Sequence, residues 1–237
     1  MFNGHIDTVT LTGYQGNPLS GEIVDGHFHG RGSVDMKSGI AASMIALVRG
    51  KRAKLDGNII FAGVADEEDL SAGTEHFLAA GWRADGAIVS EPTMSDLVHA
   101  HKGFVWLEVN VKGAASHGSR PDLGIDAIVK AGHFLVALDT HAKNLMDGSK
   151  DKNGLTGTIH ASPINGGEES SSYPANCTIV VERRTVFGET AKSVEGEVRS
   201  LLDSLVESVE DFNYECNVTF ERNPFECPPD ATIIGSA

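Results

Sequence analysis

The chain changes texture near His101, and that change constrains its fold more than any other feature. Before it, apolar residues come in a continuous run, Asn58 to Ala65 (NIIFAGVA), and in a shorter one, Ala84 to Ser90 (ADGAIVS). Such runs belong to strands buried on both faces of a parallel sheet. Spacings of three and four link Ile40, Ala41, Met44, Ile45 and Val48 and predict a helix over 37–48. A second helix is predicted over 71–80, stopped by Gly81. After His101, Val105, Leu107, Val109 and Val111 alternate with Trp106, Glu108, Asn110 and Lys112. That period of two predicts a half-buried antiparallel strand. A helix follows, with Asp122 as its predicted cap and Ile128, Ala131, Leu135 and Leu138 on one face. Further strands are predicted over 157–164, 178–186 and 214–221. Between the last two lies a helix from Thr190 to about Val209, striped by Val194, Val198, Leu201, Leu202 and Leu205. The succession β-α-β-β-α-β is the ferredoxin-like pattern. Residues 165–173 (NGGEESSSY) read as a mobile loop.

Charge excludes some function classes. Asp and Glu number 33 against 19 Lys and Arg, a net charge of −14. Nucleic-acid binding needs basic surface to neutralise phosphates, and anionic lipid needs the same, so neither partner is expected. A hydrophobic content of 41% suits a folded chain. No apolar run reaches the ~18–20 residues of a membrane span, and the first residues, MFNGHIDTVT, do not read as a signal peptide. Cys177, Cys216 and Cys227 form no CxxC pair and read as packing residues of a reducing compartment, hence a cytoplasmic protein.

Polar clusters sit at loop positions of the first hundred residues: His5 and Asp7 (GHID), Asp35 (GRGSVDMKSG), Glu67 and Glu68 (DEE) and Glu91 (SEPT). The DEE follows one buried run and Glu91 the other. In open α/β sheets, sites form at the carboxyl ends of strands. Acids converging there repel one another, and a divalent metal removes that cost. Each cluster also has a plain reading as a turn or a solvated acidic loop, and spacing alone leaves both open. Glu67 and Glu68 are adjacent and would face opposite ways in a regular strand. They can serve one site only if the backbone leaves strand geometry after Ala65.

Taken in order, GHID, GRGSVDMKSG, DEE, SEPT, and HKG with ASHGSRP resemble the zinc-dependent amidohydrolase and exopeptidase family of acetylornithine deacetylase, succinyl-diaminopimelate desuccinylase, aminoacylase and glutamate carboxypeptidase. The resemblance implies an α/β fold: an incomplete mixed-sheet catalytic domain with an inserted ferredoxin-like α+β lid that dimerises. The expected boundaries are 1–100 for the metal-binding part, 101–222 for the lid and 223–237 for the start of the return. It further implies two zinc ions, with cobalt or manganese able to suit similar ligands. His5 and Glu91 would bind one, Glu68 the other, and Asp35 would bridge them. Glu67 would be the general base, Asp7 would orient His5, and His117 would reach a partner subunit's site and stabilise the oxyanion. Arg184 would clamp a substrate carboxylate, the motif reading Glu182-Arg183-Arg184, and Asn176 would contact the substrate. A cis peptide is implied between Asp35 and Met36. His27 and His29 fall where the family has no fixed residue.

The resemblance calls for one more histidine ligand near the C-terminus, but the last histidine is His160. The chain therefore reads as truncated at both ends, with exposed sheet edges and little hydrolase activity of its own. The function expected is hydrolysis of amide bonds in N-acyl amino acids or short peptides, by a homodimer. The alternatives are a catalytically impaired fragment acting as a dimerisation or interaction module, and a one-metal binding protein.

Overall fold

In the computed structural model, which describes residues 1–148 and 150–235, contacts divide the chain into two units. One comprises Met1–Leu97 with the terminal segment from Thr232, and the other Val98–Ala231.

The first unit is built on β1 (Phe2–His5). After it come a small hairpin of β2 (Ile23–Val24) and β3 (His27–Phe28), then α1 (Ser38–Ala53), β4 (Phe61–Val64), α2 (Ala72–Ala79) and β5 (Ile88–Val89). The sheet is parallel in the order β4-β1-β5. The apolar run 58–65 thus yields four strand residues, matched to the four of β1. The run 84–90 yields two, because β1 pairs with it only at Phe2 and Asn3. Helix α1 meets the end of β5 closely: a Cβ on Gly39 would lie 2.0 Å from the carbonyl oxygen of Ser90, and the Ser43 and Ser90 hydroxyls are 2.8 Å apart. Met44, Ile45 and Val48 on α1 and Ile88 and Val89 on β5 are exposed.

The second unit runs through β6 (Ala100–His101), β7 (Gly103–Lys112), β8 (Ser116–His117), α3 (Ala127–Asp147), β9 (Thr158–Gly166), β10 (Ser172–Tyr173), β11 (Asn176–Thr185), α4 (Ala191–Ser208), β12 (Asn213–Arg222) and β13 (Phe225–Glu226). The long strands form one antiparallel sheet in the order β12-β7-β11-β9. Their alternation puts Val105, Leu107, Val109 and Val111 of β7 and Cys177, Ile179 and Val181 of β11 on one buried face. Ala131, Phe134 and Leu138 of α3 and Val194, Val198 and Leu202 of α4 complete that core. Leu201 and Leu205 pack at its margin.

Three expectations need correction here. The cap of α3 is Asp126, whose carboxylate accepts from the backbone N–H groups of Ile128 and Val129 at 3.0 Å each. Asp122 instead pairs with Arg120 in an exposed loop. With the start moved, the buried face of α3 becomes Ala127, Ala131, Phe134 and Leu138, and Ile128 turns outward. Residues 165–173 are also not simply a loop: β9 continues to Gly166, and Ser172–Tyr173 pairs with Ser116–His117. Among the described residues no helix is long and apolar enough to cross a membrane.

Candidate metal centre

Each polar cluster of the first unit is delivered by a strand end or a helix start. His5 is the last residue of β1 and only 1% exposed. Glu67 and Glu68 follow β4, and the backbone does leave strand geometry there. Asp66 takes φ +69°, its carbonyl accepts from the Ser71 N–H, and its carboxylate accepts from the Ala72 N–H at the start of α2. That turn lets two adjacent glutamates face one place. Glu91 follows β5. Asp35 sits in the irregular turn before α1, and the Asp35–Met36 peptide is cis.

These side chains converge on one imidazole nitrogen. His5 Nε2 is 3.0 Å from Asp35 Oδ1, 3.6 Å from Glu91 Oε1 and 3.7 Å from Glu67 Oε2. The other ring nitrogen, Nδ1, faces the Asp7 carbonyl oxygen at 3.2 Å and Asp7 Oδ1 at 3.4 Å. Asp7 Oδ2 accepts the Glu68 N–H at 3.2 Å, and Glu68 Oε1 accepts the Val9 N–H at 3.1 Å. In the metal-free chain Nε2 donates to Asp35 Oδ1, while a proton on Nδ1 faces Asp7; loss of the Nε2 proton would turn that lone pair toward a cation.

The charges respond to this crowding. Burial pushes the Glu91 carboxyl up to about 7, with the Asp35 and Glu67 charges adding and His5 opposing. Glu67 is also raised, by burial first; His5 opposes, and Glu68, Asp35 and Asp7 add. For His5, burial works against protonation, but the hydrogen bond to Asp35 and the charges of Glu91, Glu67 and Asp7 outweigh it, so its pKa lies above the ordinary value. For Asp7, burial would raise the pKa; backbone N–H groups of Glu68, Asp7 and Glu67, with the His5 charge, hold it lower.

Two sets of donor atoms lie within 4.8 Å of one another: one from His5, Glu67 and Glu91, the other from His5, Asp35 and Glu68. One imidazole with several carboxylates is a borderline-to-hard donor set suited to a divalent cation such as zinc, cobalt or manganese. A cation there would offset the burial cost, and with it the repulsion from Asp35 and Glu67, that drives Glu91 toward protonation.

The remaining candidates belong to the second unit. His117 ends β8, is exposed, and its Nδ1 lies 2.8 Å from the Ser119 hydroxyl. Asn176 opens β11 and is exposed. Arg184 lies near the other end of β11, pairs with Glu182 and stacks over Phe104 with its guanidinium carbon 5.2 Å from the ring centre. Arg183, its neighbour in the motif, is fully buried. His27 and His29 lie on an exposed segment, and neither belongs to a grouping of possible ligands among the described residues.

Some contributors carried no signal in the sequence. The Met36 sulfur accepts the His5 backbone N–H at 3.2 Å, tying the residue after Asp35 to the end of β1. Gly39, through its contact with Ser90, sets α1 beside the residue before Glu91. Hydropathy patterns report faces, not such close approaches.

Over residues 1–236 the sequence matches Peptidase family M20/M25/M40. The chain belongs to that family. It is 30% identical over 234 residues to the acetylornithine deacetylase of Myxococcus xanthus, covering 98% of this chain and 61% of that protein. The acetylornithine deacetylase of Buchnera aphidicola subsp. Schizaphis graminum is 28% identical over 240 residues, covering 99% and 63%. The chain thus spans about three fifths of the length of these M20/M25/M40 relatives. Among solved structures, the M20 family metallo-carboxypeptidase Sso-CP2 of Sulfolobus solfataricus superposes with a TM-score of 0.75 at 14% identity, over 99% of this chain and 67% of that one. At that identity the likeness concerns the fold.

Proposed function

We propose that the chain forms the metal-binding and substrate-clamping parts of a hydrolase that cleaves amide bonds in N-acyl amino acids or short peptides. The observation that carries this reading is the convergence of Asp35, Glu67 and Glu91 on the buried His5 nitrogen, within a family whose curated relatives include acetylornithine deacetylases. His5, Asp35, Glu68 and Glu91 would hold a pair of zinc ions. Bound zinc supplies Lewis-acid activation of water at neutral pH.

The chain's own residues do the rest. Asp7 keeps the proton on His5 Nδ1 and so keeps Nε2 free to ligate. The Glu67 carboxylate takes a proton from the attacking water and returns it to the nitrogen of the leaving amine. Arg184 offers a guanidinium to a substrate carboxylate, Asn176 a further polar contact, and His117 a hydrogen bond to the developing oxyanion. The second unit acts as a ferredoxin-like lid. A homodimer through it is supported by β12, which ends the four-stranded sheet and offers an edge for pairing. The three unpaired cysteines suit a cytoplasmic setting.

Glu67→Gln tests the reading. In a protein that spans the full length of these relatives, zinc content should persist while kcat falls by roughly 10²–10⁴, read on a panel of N-acetyl amino acids and dipeptides that also sorts deacylase from dipeptidase. Unchanged turnover overturns the role of Glu67. A zinc-loaded chain that hydrolyses nothing favours the alternative, a dimerisation or interaction module.

A further inference from the structure

Consecutive side chains on a strand point to opposite faces, so Arg183 and Arg184 separate on β11. Arg184 is exposed beside Phe104, whereas Arg183 is 0% exposed and lies on the face that carries Ile179 and Val181. A buried guanidinium is costly unless it is paired and hydrogen-bonded. Arg183 has two hydrogen-bond acceptors and one longer ion-pair contact. Its Nη2 donates to Glu189 Oε1 at 2.5 Å, its Nη1 donates to the backbone carbonyl oxygen of Arg184 at 2.5 Å, and its Nε faces Glu197 Oε2 of α4 at 3.5 Å. The second oxygen of Glu189 accepts the Val186 N–H at 2.8 Å. Gly157 provides the space, since a Cβ there would lie 2.0 Å from Arg183 Nη1. One buried side chain is thereby tied both to the peptide that carries Arg184 and to the turn that follows it.

An apolar residue at 183 would fill the core with less desolvation, as Ile179 and Val181 do earlier on the strand. What it could not do is donate to the Arg184 carbonyl. We propose that Arg183, held by Glu189, is a positioning residue that fixes the direction in which Arg184 presents its guanidinium. This rests on the reading of Arg184 as the clamp for a substrate carboxylate.

The test uses the full 237-residue chain labelled with ¹⁵N, in which the Arg184 Nε–H resonance is identified by its loss in Arg184→Ala. In Glu189→Gln that resonance should shift and broaden, while the backbone amides of Val109 and Leu202 stay in place. Should Glu189→Gln not fold, Arg183→Lys takes its place: it keeps the charge but lacks the planar fork whose Nη1 and Nη2 reach the Arg184 carbonyl and Glu189 separately. An Arg184 resonance that stays put in a folded variant, with only the melting temperature lowered, makes the Arg183–Glu189 pair merely structural and overturns the proposal. A second readout is affinity for an N-acetyl amino acid relative to its methyl ester. Arg184→Ala should abolish the preference for the free acid, and Glu189→Gln should reduce it by about fivefold or more, read as binding affinity. If Arg184→Ala leaves that preference intact, the clamp reading fails by itself, and the resonance still decides the positioning claim.

Discussion

The two units use their interiors in opposite ways. Among the described residues, only Met36, Ala62 and Val64 are buried hydrophobics of the first unit, and its best-buried polar side chain, His5, faces carboxylates. The second unit holds the continuous core, from Val105 on β7 through Phe134 on α3 to Cys216 on β12. Apolar burial is the main favourable term in folding, so the second unit is stabilised by its packing. The first keeps short strands and exposed apolar faces and gathers mutually repelling acids, an arrangement that a bound cation would stabilise. Chemistry and stability are thus carried by different stretches of sequence.

This contrast can be broken from either side. The largest effect should come from the core: Phe134→Ala should cost the second unit about 3–5 kcal/mol, read by denaturant unfolding, while zinc retention by the first unit stays intact. Loss of zinc in that variant would show that the units are not separable in this way. Next, His5→Ala should lower zinc affinity by more than about 100-fold, beyond the range typical of outer-shell partners, and leave the amide spectrum of residues 105–216 unchanged. Third comes pH. Glu91 holds its proton up to about 7 in the folded, metal-free chain, above its ordinary 4.5. That raised value contributes stability below 4.5, and the contribution is lost as pH rises to about 7. Zinc must displace the same proton, so its affinity should climb through this window by up to about tenfold per pH unit for each proton released. A flat affinity across it would remove Glu91 from the ligands. Smallest, Asp126→Ala should cost about 1 kcal/mol as a lost cap, read by thermal melting of the second unit, and Asp122→Ala should leave that melt unchanged.

Periodicity made the second unit easy to read, because a period of two over Val105–Val111 and a stripe at Val194, Val198 and Leu202 each allow one face to be buried. What escaped was local hydrogen bonding. Asp122 and Asp126 are equally plausible caps by composition, and only the backbone of Ile128 and Val129 decides between them. Ser172–Tyr173 pairs through its main chain, so its polar side chains gave no sign of a strand. In the first unit, the acids could be placed at strand ends from the apolar runs that precede them. The turn at Asp66 was required by the adjacency of Glu67 and Glu68. The approach of Gly39 to Ser90 and the bond from the Met36 sulfur to His5 depend on where elements meet in space, which no pattern along the chain records. Arg183 and Arg184 were distinguished only by the parity of β11.

The most direct measurement is the zinc-to-protein ratio of the purified chain and of His5→Ala, by elemental analysis after loosely held metal is removed. The expected result is at least one zinc per chain in the parent and none in the variant. A parent without zinc, or a variant that keeps it, would contradict a metal centre built on His5.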